Sequence, residues 1–295
     1  MTFYISRFKG MEQKEFEVEV VTPLFLGGAD PKKAELRAPS VKGALRFWWR
    51  ALFPHLPLNQ LKDEESKIFG DVGDRYGKSK MQIKIQKSLI NKENSKANPL
   101  PHKNVNFRFP CFYPGEKFSL LIYGNSEVFN IFKLTTLLGG LGKRSRRGFG
   151  SLKITKIDKN EFSFPVNSEQ IAQLIKKITK EDFFTADQGQ ILRKENISAN
   201  YGYIKSIELG QSHTQYNKIL QTIGQSSHNN NSDYTGYARG HERFSSPVYV
   251  SIIKTDEIYK PVVTTLNAAF KRNNQNHGID KSGQFKSDIL TGGPK

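Results

Sequence analysis

Alternating apolar and polar positions in the first half of the chain predict a series of strands and helices. Phe16, Val18 and Val20 alternate with glutamates in KEFEVEV, which is the period-two pattern of a strand with one buried face. A helix follows at 40–53, with Ser40 as its predicted N-cap. Further strands are predicted in KMQIKIQKS, FRFPCFYPGEKFSLLIYG and SLKITKID, and further helices in QLKDEESKIFG and at 126–138. The order β-α-β-β-α-β is the ferredoxin-like unit, which RNA-recognition domains also use.

The pattern is weaker from residue 165 onward. It predicts a helix near 168–180, a strand in YGYIKSIEL, a helix in TQYNKILQTI and strands in SPVYVSIIK and YKPVVTTL. A polar Asn/Ser/Gly stretch at 224–242 predicts a loop without order of its own, and the last 25 or so residues predict a loose tail. The weaker pattern is compatible with a second, degraded copy of the same unit, so the predicted class is α+β.

The segment RAPSVKGALRFWWRAL at 37–52 combines four cations with both tryptophans of the chain. On a helical wheel, one arc holds Val41, Ala44, Leu45, Trp48 and Leu52. A separate arc holds Lys42, Arg46, Trp49 and Phe53, with Arg50 at its edge. The first arc predicts a core face that includes Trp48. Trp49 either covers the core edge or stacks on a base of single-stranded RNA, and the cations form either a solvated face or a ridge that contacts RNA.

The charge of the chain points to a polyanionic partner. The sequence has 45 lysines and arginines against 28 aspartates and glutamates, a net charge of +17. The first 150 residues hold 26 of these cations and 14 of the anions, so their net charge is +12. No apolar run approaches the length of a membrane span, and the N-terminus lacks the apolar core of a signal peptide. Nucleic acid is therefore a better candidate partner than a membrane.

A glycine-rich segment, GGLGKRSRRGFGSL at 139–152, carries the densest cluster of cations. Its glycines allow positive φ and close approach to a ligand, while Lys143, Arg144, Arg146 and Arg147 place four charges within five positions. Such charges repel one another unless anions such as RNA phosphates neutralise them. The alternative is a flexible, solvated hairpin. Lys143 is not followed by the Ser or Thr of a nucleotide-binding P-loop, so no cofactor is expected.

Metal and acid–base chemistry receive little support from the sequence. Cys111 is the single cysteine, which excludes an intrachain disulfide and a thiolate metal cluster and fits a reducing cytoplasm. The six histidines are scattered, without i, i+4 spacing on a helix: His55, His102, His213, His228, His241 and His277. Asp30 in LGGADPKK is explained by turn formation before proline. We expect no catalytic residue, no metal and no cofactor.

Three motifs together resemble a known family. TPLFLGGADPKKAELRAPSVKGALRFWWRAL, GGLGKRSRRGFGSL and, more weakly, ERFSSPVYVSI resemble in that order the RAMP proteins of CRISPR systems. The first motif is similar to the family of first-numbered subunits of the type III-B (Cmr) RNA-guided complex, and the glycine-rich motif is shared across the superfamily. The motifs cover 16–158 well and 240–255 loosely.

The resemblance implies two tandem ferredoxin-like (RRM-like, βαββαβ) domains, at 1–160 with the glycine-rich loop and at 161–295 with a flexible tail. It also implies a non-catalytic subunit that caps the complex near the 3′ part of the guide RNA and helps capture target RNA for antiviral defence. Its partners would be guide RNA, target RNA and other RAMP subunits, especially the neighbouring backbone subunit.

Carried onto this chain, the resemblance assigns RNA contacts to three groups of residues and one further arginine. They are Lys32, Lys33 and Arg37; Lys42, Arg46 and Arg50; Lys143, Arg144, Arg146 and Arg147; and Arg243. Trp49 is a further candidate RNA contact, from the helical wheel rather than from the resemblance. Two alternatives remain open. The first is a metal-independent RAMP endoribonuclease that processes guide precursors, which requires a histidine near the glycine-rich loop. The second is a scaffold whose positive charge serves protein contacts.

Overall fold

The computed structural model describes residues 11–71, 79–89, 95–239, 241–270 and 278–293. Its helices are α1 Ala38–Leu52, α2 Leu58–Phe69, α3 Ser126–Leu138, α4 Ser168–Thr179, α5 Tyr216–Asn229 and α6 Ser282–Leu290. Its strands are β1 Glu12–Val20, β2 Gln82–Lys87, β3 Lys96–Ala97, β4 Phe109–Pro110, β5 Lys117–Gly124, β6 Leu152–Ile157, β7 Asn160–Glu161, β8 Phe184–Asp187, β9 Gln190–Arg193, β10 Ile204–Leu209, β11 Tyr237–Arg239, β12 Glu242–Phe244, β13 Val248–Thr255 and β14 Ile258–Leu266. The predicted α+β class is confirmed.

The first sheet is antiparallel, with strand order β2-β5-β1-β6-β7. Its central strand is β1, which pairs with β5 on one side and with β6 on the other. Phe16, Val18 and Val20 are fully buried, as their alternation predicts, because α3 covers that face of the sheet. The ring of Phe16 lies 4.8 Å from the ring of Phe132 and 6.2 Å from that of Phe129, both on α3.

The second sheet is also antiparallel and has the order β13-β14-β10-β9-β8. Its β8–β9 hairpin was not predicted. The hairpin directly precedes β10 along the chain. Strand β10 pairs with β14 on one side and with β9 of the hairpin on the other. The chain order of this half therefore differs from a simple second β-α-β-β-α-β pattern. A tandem ferredoxin-like arrangement, and the boundary at residue 160, stay predictions.

The two halves share one hydrophobic core. Buried side chains of β1, α1 and α3 form a continuous cluster with those of α4, β10 and β14. At the edge of this contact Lys254 donates to Glu19 at 2.9 Å, which joins β13 to β1. Within the described ranges, no helix is long and apolar enough to cross a membrane.

Two segments predicted to lack order are structured. The helix α5 continues through Asn229 into the stretch 224–242, which then forms a short 3₁₀ turn at Asp233–Thr235 and the β11–β12 hairpin; residue 240 lies outside the described residues. The predicted loose tail contains α6, while 271–277, which includes His277, and 294–295 lie outside the described residues. Both predictions relied on the polar composition of the segments. Composition alone does not reveal the few apolar residues that anchor each segment to the fold.

Both apolar and polar side chains anchor α6 to the rest of the fold. Phe285 and Ile289, one helical turn apart, are buried against α5. Asp288 is buried beside them and accepts hydrogen bonds from Ser226 Oγ at 2.7 Å and from Asn230 Nδ2 at 3.0 Å. The predicted start of α1 also changes: the helix begins at Ala38, so Arg37 rather than Ser40 is the N-cap.

Replacing Phe285 with alanine tests the contribution of α6. Because Phe285 is fully buried, we expect the free energy of unfolding to fall by roughly 3–5 kcal/mol. Ile279→Ala serves as the control, since Ile279 is 77% exposed. Urea denaturation measures both. A loss for Phe285→Ala no larger than that of the control would contradict the packing of α6.

Candidate nucleic-acid interface

The glycine-rich segment is built into the fold between two other stretches of backbone. On one side, the Lys143 amide donates to the Phe25 carbonyl at 2.8 Å, and the Gly150 amide donates to the Pro23 carbonyl at 3.0 Å. On the other side, the Gly148 amide donates to the Val250 carbonyl of β13 at 2.8 Å. The alternative of a flexible, solvated hairpin is therefore wrong.

The glycines of this segment permit close approach of backbone to backbone. Gly142 has φ +80°, and a Cβ atom on it would lie 2.3 Å from the Phe25 carbonyl oxygen. Gly150 has φ +66°, and its Cβ would lie 2.0 Å from the Leu141 carbonyl oxygen. Positive φ is confirmed at these positions, but the close neighbour is the protein itself rather than a ligand.

Arg147 is held in place by surrounding protein groups. Its guanidinium donates to Ser227 Oγ and to the Val248 carbonyl, both at 3.2 Å, and to the Thr235 carbonyl. It also lies 4.9 Å from the ring centre of Phe285. Burial, together with the nearby guanidinium groups of Arg144 and Arg146, lowers the pKa of Arg147 to about 9. This arginine joins α5, β13 and α6, but it is only half-buried and lines a groove, so its contact with RNA stays a prediction.

Arg146 is also fixed by protein groups, but its surroundings are more open. Its guanidinium donates to the Ser246 carbonyl and lies 5.2 Å from the ring centre of Phe47 and 5.6 Å from that of Tyr249. Burial lowers the pKa of Arg146. Phe47 belongs to α1 and Tyr249 to β13, so the guanidinium stacks between elements of the two halves.

Lys143 and Arg144 occupy the outer part of the segment. Lys143 is exposed, with Nζ 5.2 Å from the ring centre of Phe109. Arg144 adopts a left-handed φ of 61° and lies 5.8 Å from the ring centre of Phe149. Burial lowers the pKa of Arg144, and its Nε has no hydrogen-bond partner within the described part of the chain. Lys143 thus remains directly accessible to an anion, whereas Arg144 is reached through a groove.

The two tryptophans of α1 are both buried. Trp48 packs in the core, as predicted, with its ring 5.0 Å from that of Tyr249. Trp49 is 2% exposed, lies 4.6 Å from the ring of Phe53, and donates through Nε1 to Glu127 at 2.8 Å. The assignment of Trp49 to RNA is therefore corrected. Helix α2 covers the second arc of α1, and a helical wheel of α1 alone does not contain that information.

The cations on the second arc of α1 are paired with a buried carboxylate from α2. Arg46 Nε donates to Glu65 Oε1 at 2.5 Å, and Arg50 donates to both oxygens of Glu65. The Glu65 side chain is 3% exposed, whereas those of Arg46 and Arg50 are 37% and 49% exposed. Part of their charge is thus neutralised within the protein. Lys42, on the same arc, is half-buried. Its burial lowers the pKa of Lys42, and the charge of Arg46 lowers this pKa further.

The loop before α1 presents exposed cations next to the glycine-rich segment. Lys32, Lys33 and Arg37 are exposed, and Arg37 lies 4.0 Å from Glu35 in a surface ion pair. Asp30 accepts a hydrogen bond from the Lys32 amide at 2.8 Å, in agreement with its prediction as a turn residue. The backbone contact between Lys143 and Phe25 places this loop beside the glycine-rich segment.

Three grooves surround Arg146, and its side chain lines each of them. The α1 groove has a volume of about 220 Å³ and is lined by Ser40, Ala44, Phe47, Gly140, Ser145 and Tyr249. The α2 groove, of about 400 Å³, is lined by Arg50, Leu61, Lys62, Tyr201, Pro247 and Asn267. The histidine groove, of about 440 Å³, is lined by His102, Lys103, Arg144, Ser227, His228 and Tyr237. The predicted cations of α1 and of the glycine-rich segment are therefore brought to adjoining surfaces.

Several groove residues were missed by sequence reasoning. Phe244, beside the exposed Arg243 on β12, lines both the α2 groove and the histidine groove. His102 and His228 meet with ring centres 6.2 Å apart, although 126 positions separate them in the chain. No local spacing signals such a contact. Among the described residues, no group of three or more His, Cys, Asp or Glu side chains is arranged to hold a metal.

Replacing Glu65 with glutamine tests the ion pair between α1 and α2. Burial raises the pKa of Glu65, but the hydrogen bonds and charges of Arg50 and Arg46 outweigh burial and lower it below its usual 4.5. The carboxylate therefore stabilises the fold fully above about pH 4.5, and this contribution is lost as the pH falls through the folded-state pKa. At pH 7 we expect Glu65→Gln to lose roughly 1–3 kcal/mol of unfolding free energy.

Urea denaturation at pH 7 and at pH 3.5 measures this effect, and the difference between Glu65→Gln and the parent protein should shrink at the lower pH. Glu64→Gln is the matched control, because Glu64 is exposed and pairs with Lys67 on the surface. Equal stability of the two variants at pH 7 would show that the buried pair does not stabilise the helices.

Parts of this chain are similar to known proteins. Residues 17–153 match the RAMP superfamily. CRISPR system Cmr subunit Cmr1-2 of Pyrococcus furiosus is 30% identical in an alignment of 184 residues that covers 49% of this chain and 96% of that protein. Cmr subunit Cmr1-1 of the same organism is 31% identical in an alignment of 167 residues that covers 48% of each chain, so the match spans about half of that relative.

The fold is similar to solved structures over nearly its whole length. The apo crystal structure of Cmr1 from Pyrococcus furiosus has a TM-score of 0.60 at 18% identity, covering 95% of this chain and 99% of that one. A chain in a cryo-EM structure of the type III-B Cmr-beta complex bound to cognate target RNA and AMPPnP has a TM-score of 0.58 at 12% identity, covering 94% and 99%. The chain therefore belongs to the RAMP superfamily and, within it, to the Cmr1 family of type III-B CRISPR proteins.

Proposed function

We propose that this chain is a non-catalytic RNA-binding subunit of a type III-B CRISPR (Cmr) RNA-guided complex. In this proposal it works in the cytoplasm, contacts guide RNA and target RNA, and docks on a neighbouring backbone RAMP subunit. It caps the complex near the 3′ part of the guide RNA. The two halves of the chain act as tandem ferredoxin-like units, each with an antiparallel sheet.

The observation that carries the proposal is the position of the exposed cations. Lys32, Lys33 and Arg37 lie on the loop before α1, and Lys143 lies on the glycine-rich segment whose backbone bonds to Phe25, just before that loop. The α1 groove runs between α1, which follows that loop, and the glycine-rich segment. Exposed cations on segments next to a groove, in a chain with a net charge of +17, are typical of proteins that follow a nucleic-acid backbone.

The two arginines on α1 complete this surface. Arg46 and Arg50 share one carboxylate, so the group of three side chains keeps a net positive charge. Arg50 also lines the α2 groove beside Lys62. Because the proposal rests on positive charge beside grooves, it implies binding by charge and shape, with little sequence preference.

Replacing Lys32, Lys33, Arg37 and Lys143 together with glutamine tests the proposed surface. All four are exposed, so the fold should tolerate the changes. Without these four charges, binding of single-stranded RNA should weaken on the order of 10- to 100-fold at physiological salt. The slope of log affinity against log salt should also fall, by about 0.7 for each phosphate that is no longer neutralised. Fluorescence anisotropy across a salt series measures both quantities.

The matched control replaces four exposed lysines that lie outside both the loop before α1 and the glycine-rich segment: Lys159, Lys177, Lys180 and Lys205. This control removes the same net charge, so it separates a local surface from general attraction. If both quadruple variants lose the same affinity and the same slope, the exposed cations around the α1 groove are not a specific RNA surface.

One observation favours the endoribonuclease alternative. It requires a histidine near the glycine-rich segment, and His102 and His228 share a groove with Arg144 and Arg147. Burial, with the charges of Lys103, His228 and Arg144, lowers the pKa of His102, so its imidazole is neutral at pH 7 and able to accept a proton.

Cleavage of guide-precursor RNA in EDTA by excess purified protein tests this alternative. The non-catalytic proposal predicts intact RNA under single-turnover conditions. A cleavage product that is abolished by His102→Gln and retained in His55→Gln would instead establish the endoribonuclease. His55 is a suitable control because its ring packs on Phe183, 4.7 Å away, and lines none of the three grooves.

A further inference from the structure

The histidine groove is assembled from four parts of the chain that lie far apart in sequence. The loop 98–103 contributes His102 and Lys103, the glycine-rich segment contributes Arg144, and α5 contributes Ser227 and His228. The hairpin β11–β12 closes the groove with Tyr237 and Phe244. With a volume of about 440 Å³, the groove is large enough for a nucleotide-sized group.

The charges that line this groove are all of one sign. The described lining contains Lys103, three arginines of the glycine-rich segment and two imidazoles, and it contains no aspartate or glutamate. This differs from the α2 groove, where Glu65 neutralises part of the charge of Arg50. Partly buried guanidinium groups without a carboxylate nearby repel one another, and an anion that enters the groove relieves this repulsion.

Two side-chain nitrogens at the groove are buried without a partner. Within the described chain, neither His102 Nδ1 nor Arg144 Nε makes a hydrogen bond. Unpaired buried polar groups are uncommon and costly, so these two atoms mark an energetic cost beside the cationic groove, which a shift of either side chain towards a bound anion would relieve. The position of the imidazole is specified by the fold: a Cβ atom on Gly224 of α5 would lie 2.2 Å from His102 Nδ1, so a glycine is needed there.

We propose that the histidine groove binds a phosphate group, gripped by Arg144, Lys103 and the His102–His228 pair. The proposal rests on the RNA-binding function proposed above and extends it to a groove that adjoins the α1 groove at Arg146. A phosphate supplies several acceptor oxygens to these donors, and the aromatic side chains of Tyr237 and Phe244 flank the adjacent nucleotide. The same chemistry is offered by an internal phosphodiester, by a terminal phosphate of an RNA, and by inorganic phosphate.

Histidine NMR signals of the wild-type protein test the site directly. The Cε1–H signals of His102 and His228, assigned with His102→Gln and His228→Gln, are followed with four probes. The probes are inorganic phosphate and one short RNA with hydroxyl groups at both ends, with a 5′-phosphate, or with a 3′-phosphate. We expect both signals to shift on RNA addition while the signal of His55 stays in place.

The pattern of shifts identifies the source of the phosphate. Equal shifts with all three RNAs support an internal phosphodiester, and a shift confined to one phosphorylated RNA supports a terminal phosphate. A shift with inorganic phosphate alone supports a site for the free anion. If no probe moves either signal, the proposal is overturned.

Affinity measurements provide a second readout and separate this proposal from the first. Arg144→Gln and Lys103→Gln should each weaken RNA binding by roughly 3- to 10-fold and lower the salt slope by about 0.7, with His55→Gln as the control. If RNA binds the wild-type protein but neither variant loses affinity and no histidine signal moves, the groove proposal fails and the RNA-binding function stands. If no RNA binds but inorganic phosphate moves the His102 signal, the RNA-binding function fails and the phosphate site stands.

Discussion

The two halves share one buried hydrophobic core, and the backbone hydrogen bond between Gly148 and Val250 ties the glycine-rich segment across it. Side-chain hydroxyls extend this hydrogen bond in both directions. Thr22 Oγ1 donates to the Gly148 carbonyl at 2.7 Å, and Ser151 Oγ accepts from the Ile252 amide at 3.0 Å. These groups are buried, so each broken hydrogen bond would leave an unpaired polar atom in the core. The glycine-rich segment thus joins the end of β1 and its following loop to β13. This position also brings Arg146 of the segment to the wall of all three grooves.

Sequence reasoning succeeded where a local pattern reflects a single buried face. The alternation in β1, the helix at 168–179 and the core arc of α1 were all found in this way, because one sheet or helix surface decides their burial. It failed where a second element covers the opposite face. Trp49 is buried because α2 lies over it, and Arg46 and Arg50 are paired because that helix supplies Glu65. Neither contact is visible from the sequence of α1.

The sequence predicted only part of the candidate site, for the same reason. The cation-rich composition of the loop before α1 and of the glycine-rich segment was evident, and Lys32, Lys33, Arg37 and Lys143 are exposed as a binding surface requires. Charge density did not reveal that Arg147 is held by internal acceptors or that Arg146 stacks between Phe47 and Tyr249. The meeting of His102 with His228 depends on long-range packing of α5 against the loop 98–103, for which the chain offers no short-range signal.

The internal fixation of Arg146 and Arg147 has a consequence for how the surface recognises a ligand. An exposed arginine loses much of its rotamer freedom when it binds, at a cost of about 0.5–1.5 kcal/mol for each immobilised side chain. Arg146 and Arg147 have already lost this freedom on folding, since carbonyl groups and aromatic rings hold their guanidinium groups. The grooves are therefore preorganised: their positive potential is present before a ligand arrives, and little conformational entropy is lost on binding. For the proposed RNA-binding function, the same rigidity means that these arginines would not adjust to individual bases, so the surface would select the spacing of backbone phosphates rather than a nucleotide sequence.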